Sequence, residues 1–248
     1  MSEFEVFVLG VGDAFSELFH PSALLLSCDG FKLAIDCPDM YRGILRATAA
    51  RSGRALSLAD IDTFLITHVH GDHMNGLEGV AFFKRFVEQK KLELVCSKEV
   101  RETIWEPRLH ASMGALWDGQ GYRQMQFDDY FNHREQPWES AIQIGPFNVR
   151  SRRTIHHVPT SALLIEAAGR TLGYSCDTAF DPGLIDFLSP ADLIIHETNF
   201  GAGHTAYESL AALPAELRQK MRLIHYSDIF DLQSSNITPL REGEVLVP

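Results

Sequence analysis

Basic side chains are scarce in this sequence. Lysine and arginine together number 22 against 33 aspartates and glutamates, a formal net charge of −11. Adhesion to a nucleic-acid backbone or an anionic membrane needs a surplus of cations, so this balance argues against both as general partners. Cysteine is scarcer still: Cys28, Cys37, Cys96 and Cys176 stand apart with no C-x-x-C spacing. A disulfide framework is not expected, and a reduced, intracellular setting is the simpler reading. No apolar run approaches the roughly 18 to 20 residues of a membrane span, and "MSEFEVFVLGVG" opens with acids where a signal peptide carries bases. A cytoplasmic location is therefore expected. Internal repeats and Gly/Ser/Pro-rich linkers are also missing, so residues 1–248 read as a single domain.

What is present is a succession of strands with helices between them. "FEVFVLG" alternates as a half-buried strand, with Phe4, Val6 and Val8 on one face. "ALLLSCDGFKLAIDC" reads as a hairpin turning at Asp29-Gly30. "MYRGILRATAARSG" and "NGLEGVAFFKRFVEQKK" have helical period, and "IDTFLITH" is a short apolar strand suited to a covered sheet. From about Arg101 to Ser140 the pattern turns irregular and aromatic, which predicts a partly helical insert or cap. Strands resume at "FNVRSRRTIHH", "SALLIEAAG", "RTLGYSCD" and "ADLIIHETNF", and a last helix over "TAYESLAALPAELRQKM" is interrupted near Pro214. Two β-rich halves with helices outside predict an α/β fold of two sheets packed face to face.

The chemistry concentrates in "THVHGDHMNGLEG", where His68, His70, Asp72 and His73 fall within six positions. His68 and His70 are two apart at a strand end, so an extended backbone points them to one side. Asp72 and His73 follow where the chain turns into a helix. Three imidazoles and a carboxylate exceed what one tetrahedral ion with an open position draws from a single loop, so two adjacent metals are inferred.

These four residues match the signature H-x-H-x-D-H, and the sequence here resembles the metallo-β-lactamase superfamily. The resemblance implies an αββα sandwich with two metal ions at one edge between the sheets. "FVLGVGDAF", "LAIDC", "HETNF" and "GHTAYES" are similar to ribonuclease Z and its smaller phosphodiesterase relatives. In that branch a ligand histidine precedes a proline at +3. This spacing favours His156 in "TIHHVPTSALLIE", although strand phase leaves His157 as the alternative. "LGYSCDTAF" resembles the G-D-T segment, with Asp177 as the bridging carboxylate and Cys176 where glycine is usual. "RLIHYSD" supplies His225. The implied assignment is His68, His70 and His156 on one metal, Asp72, His73 and His225 on the other, and Asp177 on both. Zinc suits these ligands best, with manganese or iron as alternatives. Asp36 in "AIDC" is expected to support a ligand histidine.

The resemblance also implies a proton-transferring pair, Glu197 in "HETNF" and His204 beyond it, which together with Asp72 make the expected catalytic residues. A carboxylate raises imidazole basicity and lets it protonate a departing alkoxide. Ribonuclease Z carries a long arm that grips transfer RNA between the positions matched by His156 and Asp177. Only 21 positions separate them here, enough for a hairpin alone. A small substrate such as a cyclic nucleotide is expected, without a stable nucleic-acid complex. The 101–140 aromatics, with His110 and His133, are candidates to meet that substrate, and Arg152 is a candidate for phosphate. Hydrolysis of a carboxylic ester, lactone or thioester is the rival reaction, since activated water attacks a carbonyl as readily as phosphorus. A metal-containing binding or regulatory module without turnover is the rival of a different class. A homodimer through the aromatic insert is the expected assembly on base rate.

Overall fold

The structure, a computed structural model, describes residues 3–248. The first half runs through β1 (Glu5–Gly10), β2 (Ala23–Cys28), β3 (Phe31–Ile35), α1 (Tyr41–Ser52), β4 (Thr63–Leu65), α2 (Gly71–Met74), α3 (Leu77–Phe86) and β5 (Leu92–Cys96). Then come α4 (Lys98–Ile104), a π-helical turn over Trp105–Leu109, α5 (His110–Met113), the small hairpin β6 (Ala115–Trp117) and β7 (Tyr122–Gln124), and β8 (Phe131–Glu135). The second half holds β9 (Ala141–Ile144), β10 (Phe147–Arg153), β11 (Ser161–Ala167), β12 (Arg170–Tyr174), α6 (Pro182–Leu188) and β13 (Leu193–Glu197). It closes with α7 (Tyr207–Ala211), α8 (Ala215–Gln219), β14 (Met221–Ile224), β15 (Thr238–Pro239) and β16 (Val245–Leu246).

The strands form two seven-stranded mixed sheets, in the orders β16-β1-β2-β3-β4-β5-β8 and β15-β14-β13-β12-β11-β10-β9. Helices lie outside both, which makes the αββα sandwich that the sequence predicts. Val6, Val8, Leu24, Leu26, Leu33 and Ile35 share one cluster with Phe147, Val149, Leu163, Ile165 and Leu172 of the second sheet. The alternate residues Phe7, Leu9, Leu25 and Ala34 pack outward with Ile44 and Leu45 of α1 and with Leu77 and Val80 of α3. Strand β1 is therefore covered on both faces rather than half-buried, because the outer face that alternation assigns to solvent lies under helices.

Two hairpin turns follow from their residues. Asp29-Gly30 joins β2 to β3, and Ala168-Gly169 joins β11 to β12, each with positive φ at both central positions, the requirement of a type I′ turn. The β11–β12 hairpin is the sheet structure between His156 and Asp177. The interrupted last helix is two short helices, α7 and α8, with Pro214 between them.

The aromatic segment 101–140 is less a cap than a second layer of core. Trp105, Leu109, Met113, Met125, Phe127 and Tyr130 are buried against the outer face of the first sheet, and β8 joins that sheet parallel to β5. Trp117 and Tyr122 remain exposed on the β6–β7 hairpin.

The topology aims one edge of the molecule at chemistry. β3 and β4 run parallel, as do β12, β13 and β14, and β10 shares the direction of β12 through antiparallel β11. Asp36, His68, His156, Asp177, Glu197 and His225 all lie at or just beyond the carboxyl ends of these strands. In sheets with parallel strands that is where ligand crevices form.

Candidate metal centre

The chain leaves three of these strands through backbone that only a few residues tolerate. Asp36, Cys176 and His225 have φ of 64, 49 and 58, in the left-handed region. For residues with a Cβ this conformation costs about 1–2 kcal/mol each, and such costs collect where function needs a side chain aimed. The value at Cys176 also explains why glycine would suit that position. Its thiol is buried, 3.0 Å from Thr67 Oγ1 and 3.7 Å from His68 Nδ1, and burial pushes its pKa well up, so it sits as a neutral packed group.

Asp36 organises the histidine loop from below. It is fully buried and accepts from the Thr67 backbone N–H at 2.8 Å and from Thr67 Oγ1 at 2.8 Å. His73 Nδ1 donates to its other oxygen at 2.8 Å, and His68 Nδ1 donates to Thr67 Oγ1 at 3.0 Å. Both imidazoles thus keep their proton on Nδ1 and turn Nε2 toward the centre, the arrangement that fixes ligand tautomers. Gly76 lets the helical turn approach closely: a Cβ there would lie 2.2 Å from the Pro38 carbonyl oxygen. Without that side chain, Gly76 N–H reaches Cys37 O at 2.9 Å and Cys37 N–H reaches His73 O at 2.7 Å. From outside, Arg108 in the π-helical turn donates to Val69 O at 2.8 Å and to Asn75 Oδ1 at 2.9 Å.

Two groups of inward atoms result. His70 Nδ1 lies 3.1 Å from both His68 Nε2 and His156 Nε2, and Asp177 Oδ2 lies 3.7 and 3.6 Å from those two nitrogens. On the other side His73 Nε2 lies 3.3 Å from Asp72 Oδ2 and 3.4 Å from Asp177 Oδ1, while His225 Nε2 is 3.4 Å from Asp72 and 3.5 Å from Asp177 Oδ2. Zinc bonds of about 2.0–2.1 Å in a tetrahedron put ligand atoms about 3.3 Å apart, so both groups have the spacing a metal ion requires. His73 Nε2 and Asp177 Oδ1 are moreover buried with no hydrogen-bond partner. Buried polar atoms are rarely left so, and a cation satisfies both. The donor set fits two divalent ions sharing Asp177.

The charges tell the two groups apart. Burial drives the pKa of His68 well down and that of His156 to about 4, so these imidazoles are neutral. Burial also pulls at His73, but Asp177, Asp72 and Asp36 overcome it and hold His73 well above the usual range. His225 is raised in the same way, chiefly by Asp177 against the same burial. Burial works against ionised Asp177 too, yet His225 and His73 keep it well below the ordinary carboxylate range.

The structure brings His156, rather than His157, to the centre, with His156 Nδ1 donating to Gly203 O at 2.8 Å. His157 sits on the rim against Gly203, where a Cβ would come 2.5 Å from its Nε2. His204 Nδ1 meets the fully buried Glu197 Oε1 at 3.0 Å, and the His204 ring stacks on His225 at 5.3 Å. His204 is also close enough to Asp177 and His225 to form a further group of potential metal ligands with them. Glu197 is held in turn by the Thr178 N–H at 2.8 Å.

A cleft of about 370 Å³ opens over the centre, lined by Asp13, Phe15, His70, Asp72, His157, Asp177, Asn199, His204 and His225, among others. Arg152, His110 and His133 are placed elsewhere. Arg152 runs beside Gly183, His110 packs on Trp105 and faces Glu106, and His133 on edge strand β8 reaches the Cys96 carbonyl. Sequence reasoning quoted "GDAF" and "HETNF" without giving roles to Asp13, Phe15 or Asn199. In the structure Asn199 Nδ2 donates to Asp13 Oδ2 at 2.9 Å and ties the two segments together at the cleft.

A family model for anti-Pycsar protein Apyc1 matches residues 4–241. The chain belongs to the Apyc1 family. It is 32% identical over 250 residues to anti-Pycsar protein Apyc1 of Paenibacillus sp. (strain J14), covering 96% of each chain. Against Apyc1 of Bacillus phage 010DV004 it is 32% identical over 237 residues, 90% of this chain and 89% of the relative. The metallo-β-lactamase fold protein YhfI from Bacillus subtilis superposes with a TM-score of 0.77 at 18% identity, covering 99% of this chain and 100% of that one. Human tRNase Z, short form, superposes at 0.71 with 21% identity and 98% coverage of both. The fold is thus that of the metallo-β-lactamases. Likeness to ribonuclease Z is a likeness of fold, and the family shown is Apyc1. Among the described residues no helix is long and apolar enough to cross a membrane.

Proposed function

We propose that this Apyc1-family chain is a dinuclear metal-dependent phosphodiesterase that opens a small cyclic nucleotide, acting as one hydrolase domain. The observation that carries the reading is the double ligand set sharing Asp177, with the Glu197–His204 pair at its edge. His68, His70 and His156 would hold one ion, Asp72, His73 and His225 the other, and Asp177 both. Two divalent ions there, zinc by ligand type, would supply Lewis-acid activation of water and charge neutralisation at phosphate.

The remaining work falls to the chain's own groups. Glu197 accepts the Nδ1–H of His204, which fixes the ring and turns Nε2 toward the cleft. A proton on Nε2 is then available to the ribose oxygen that leaves phosphorus. Burial, and after it the charge of Asp177, pushes the Glu197 carboxyl well up. The second cause disappears once Asp177 is neutralised by a cation, which favours the ionised Glu197 that this role needs. Asp36 holds His73 directly and His68 through Thr67 for coordination, as a positioning residue. A cleft of about 370 Å³ and the short β11–β12 hairpin support a compact phosphodiester over a folded RNA. The family's anti-Pycsar name is compatible with a small signalling substrate.

The test is metal content together with hydrolysis of a 3′,5′-cyclic nucleotide and bis(p-nitrophenyl) phosphate, beside a carboxylic ester and a lactone. About two metals per chain and phosphodiester turnover are expected. Ester or lactone cleavage without phosphodiester turnover overturns the substrate class, and two metals with no turnover on any substrate overturns the enzyme reading.

A further inference from the structure

Beside the metal cleft lies a second cavity, of about 340 Å³, between the loops 199–206 and 227–234. Asn199 lines both, so the two spaces adjoin. We infer that this cavity seats the base of the nucleotide whose phosphate lies at the metals, an inference that rests on the phosphodiesterase reading. The size is that of a small-ligand pocket.

Its chemistry suits a flat heterocycle. Tyr207 and Phe230 meet edge to face at 5.4 Å in its wall, and Phe230 stacks on Tyr226 at 5.7 Å, which stiffens that side. Phe200 and Ile229 both line the cavity and are 66% and 82% exposed, large apolar groups available to a ligand at its mouth. Apolar and aromatic walls of this kind hold a base by stacking whatever its identity. A hydrogen-bonding edge is also provided for. Ser227 lines the cavity with its Oγ buried and without a hydrogen-bond partner among the described residues. A buried hydroxyl in that state gains from a polar ligand edge.

The carboxylates of Glu208 and Asp231 also lie on the wall. They make the cavity a poor place for a second phosphate, so it fits a terminal base better than the next nucleotide of a chain. The aromatic insert at 101–140, by contrast, contributes no residue to either lining.

The experiment titrates adenosine 5′-monophosphate and inorganic phosphate separately into the metal-loaded full chain by calorimetry. The nucleotide reports base and phosphate together, and inorganic phosphate reports the metal side alone. Wild type is expected to bind the nucleotide about tenfold or more tighter than phosphate. The double variant Phe200→Ala/Ile229→Ala trims the mouth, and Ser234→Trp fills the cavity. Each is expected to erase most of that advantage while the phosphate affinity changes by less than about twofold. Trp117→Ala, on the distant β6–β7 hairpin, is the control and should move neither affinity.

An unchanged advantage in both variants overturns the base site, as does wild-type binding of nucleotide no tighter than phosphate. Equal weakening of both ligands overturns it too, since the loops would then only shape the metal side. Binding does not depend on turnover, so the two readings fail separately. A wild type that keeps the nucleotide advantage but hydrolyses no phosphodiester refutes the catalytic assignment and leaves the base site standing.

Discussion

The sharpest test of the proposed chemistry is His204→Ala, read on two substrates that differ in how much they need a proton. His204 is held by a 3.0 Å bond to a buried carboxylate and is only one-fifth exposed, so its orientation is set before substrate arrives. A positioned general acid contributes about 10²–10⁴ in rate, or roughly 3–5 kcal/mol in the barrier. The full factor is expected for a cyclic nucleotide, whose ribose oxygen leaves as a strongly basic alkoxide. Bis(p-nitrophenyl) phosphate expels a far weaker base, and its kcat should fall by less than about tenfold. Glu197→Gln keeps an oxygen acceptor but removes the charge, and should give an intermediate loss on the cyclic nucleotide. Metal content is the internal control, because His204 also lies near Asp177 and His225. Equal losses on both substrates, or loss of about one metal per chain, would refute the proton-donor role and make His204 a ligand instead.

Other expectations follow from the same geometry. Against the pull of burial, His73 is held well above the usual range in the metal-free protein and His225 is raised as well, both chiefly by Asp177, so coordination must displace protons that this carboxylate favours. Metal loading should release about one to two protons per chain at pH 7, measurable by calorimetry in buffers of different ionisation enthalpy; no release refutes the charge assignment. In the metal-free fold the sign is the reverse. The stability from raised His73 is fully present below about pH 6.5 and is lost as pH rises through its folded value, so thermal melts without metal should weaken on the alkaline side. Arg108→Ala removes one part-buried and one exposed hydrogen bond to the histidine loop, together worth about 1 kcal/mol, and should loosen metal about fivefold against a chelator with little change in Tm. Cys176→Gly relieves about 1–2 kcal/mol of left-handed strain while losing a packed thiol, and should stay within about 1 kcal/mol of wild type in denaturant unfolding. Cys176→Val, β-branched at positive φ, should cost more than about 2 kcal/mol.

How much of this was legible in the sequence depended on distance along the chain. His68, His70, Asp72 and His73 lie within one turn, where spacing alone brings side chains together. His156, Asp177 and His225 are joined to them only by sheet order, which no local pattern reports, and resemblance was needed to find them. The choice between His156 and His157 by strand phase could not work, because β10 ends at Arg153 and both histidines follow in irregular backbone. Composition likewise marked 101–140 as aromatic without saying which way those rings face. Most are buried against the first sheet, and the apolar groups at the cleft and beside it, Phe15, Phe200 and Ile229, come from loops whose short sequences carry no period.

That division has a physical basis and a consequence for specificity. Metal ligands must converge to within a few tenths of an ångström, so they and their supports are built on strand ends and on strained backbone, the ligand His225 and the supporting Asp36 among them, with Asp36 and Thr67 locking two rings. Loops 13–15, 199–206 and 227–234 border the openings, and apart from Gly203, whose carbonyl holds His156, their large apolar side chains carry no such constraint. Substitutions at Phe15, Phe200 or Ile229 can change which ring is held without disturbing the ions, because none of these three positions a ligand imidazole, whereas Gly203, in the same loop as Phe200, holds His156, and His204 there holds the proton. The ligand set therefore speaks for the reaction, and the loops beside it for what is bound. A variant that alters nucleotide preference while keeping two metals is the outcome this separation requires, and one that cannot change preference without shedding metal would contradict it.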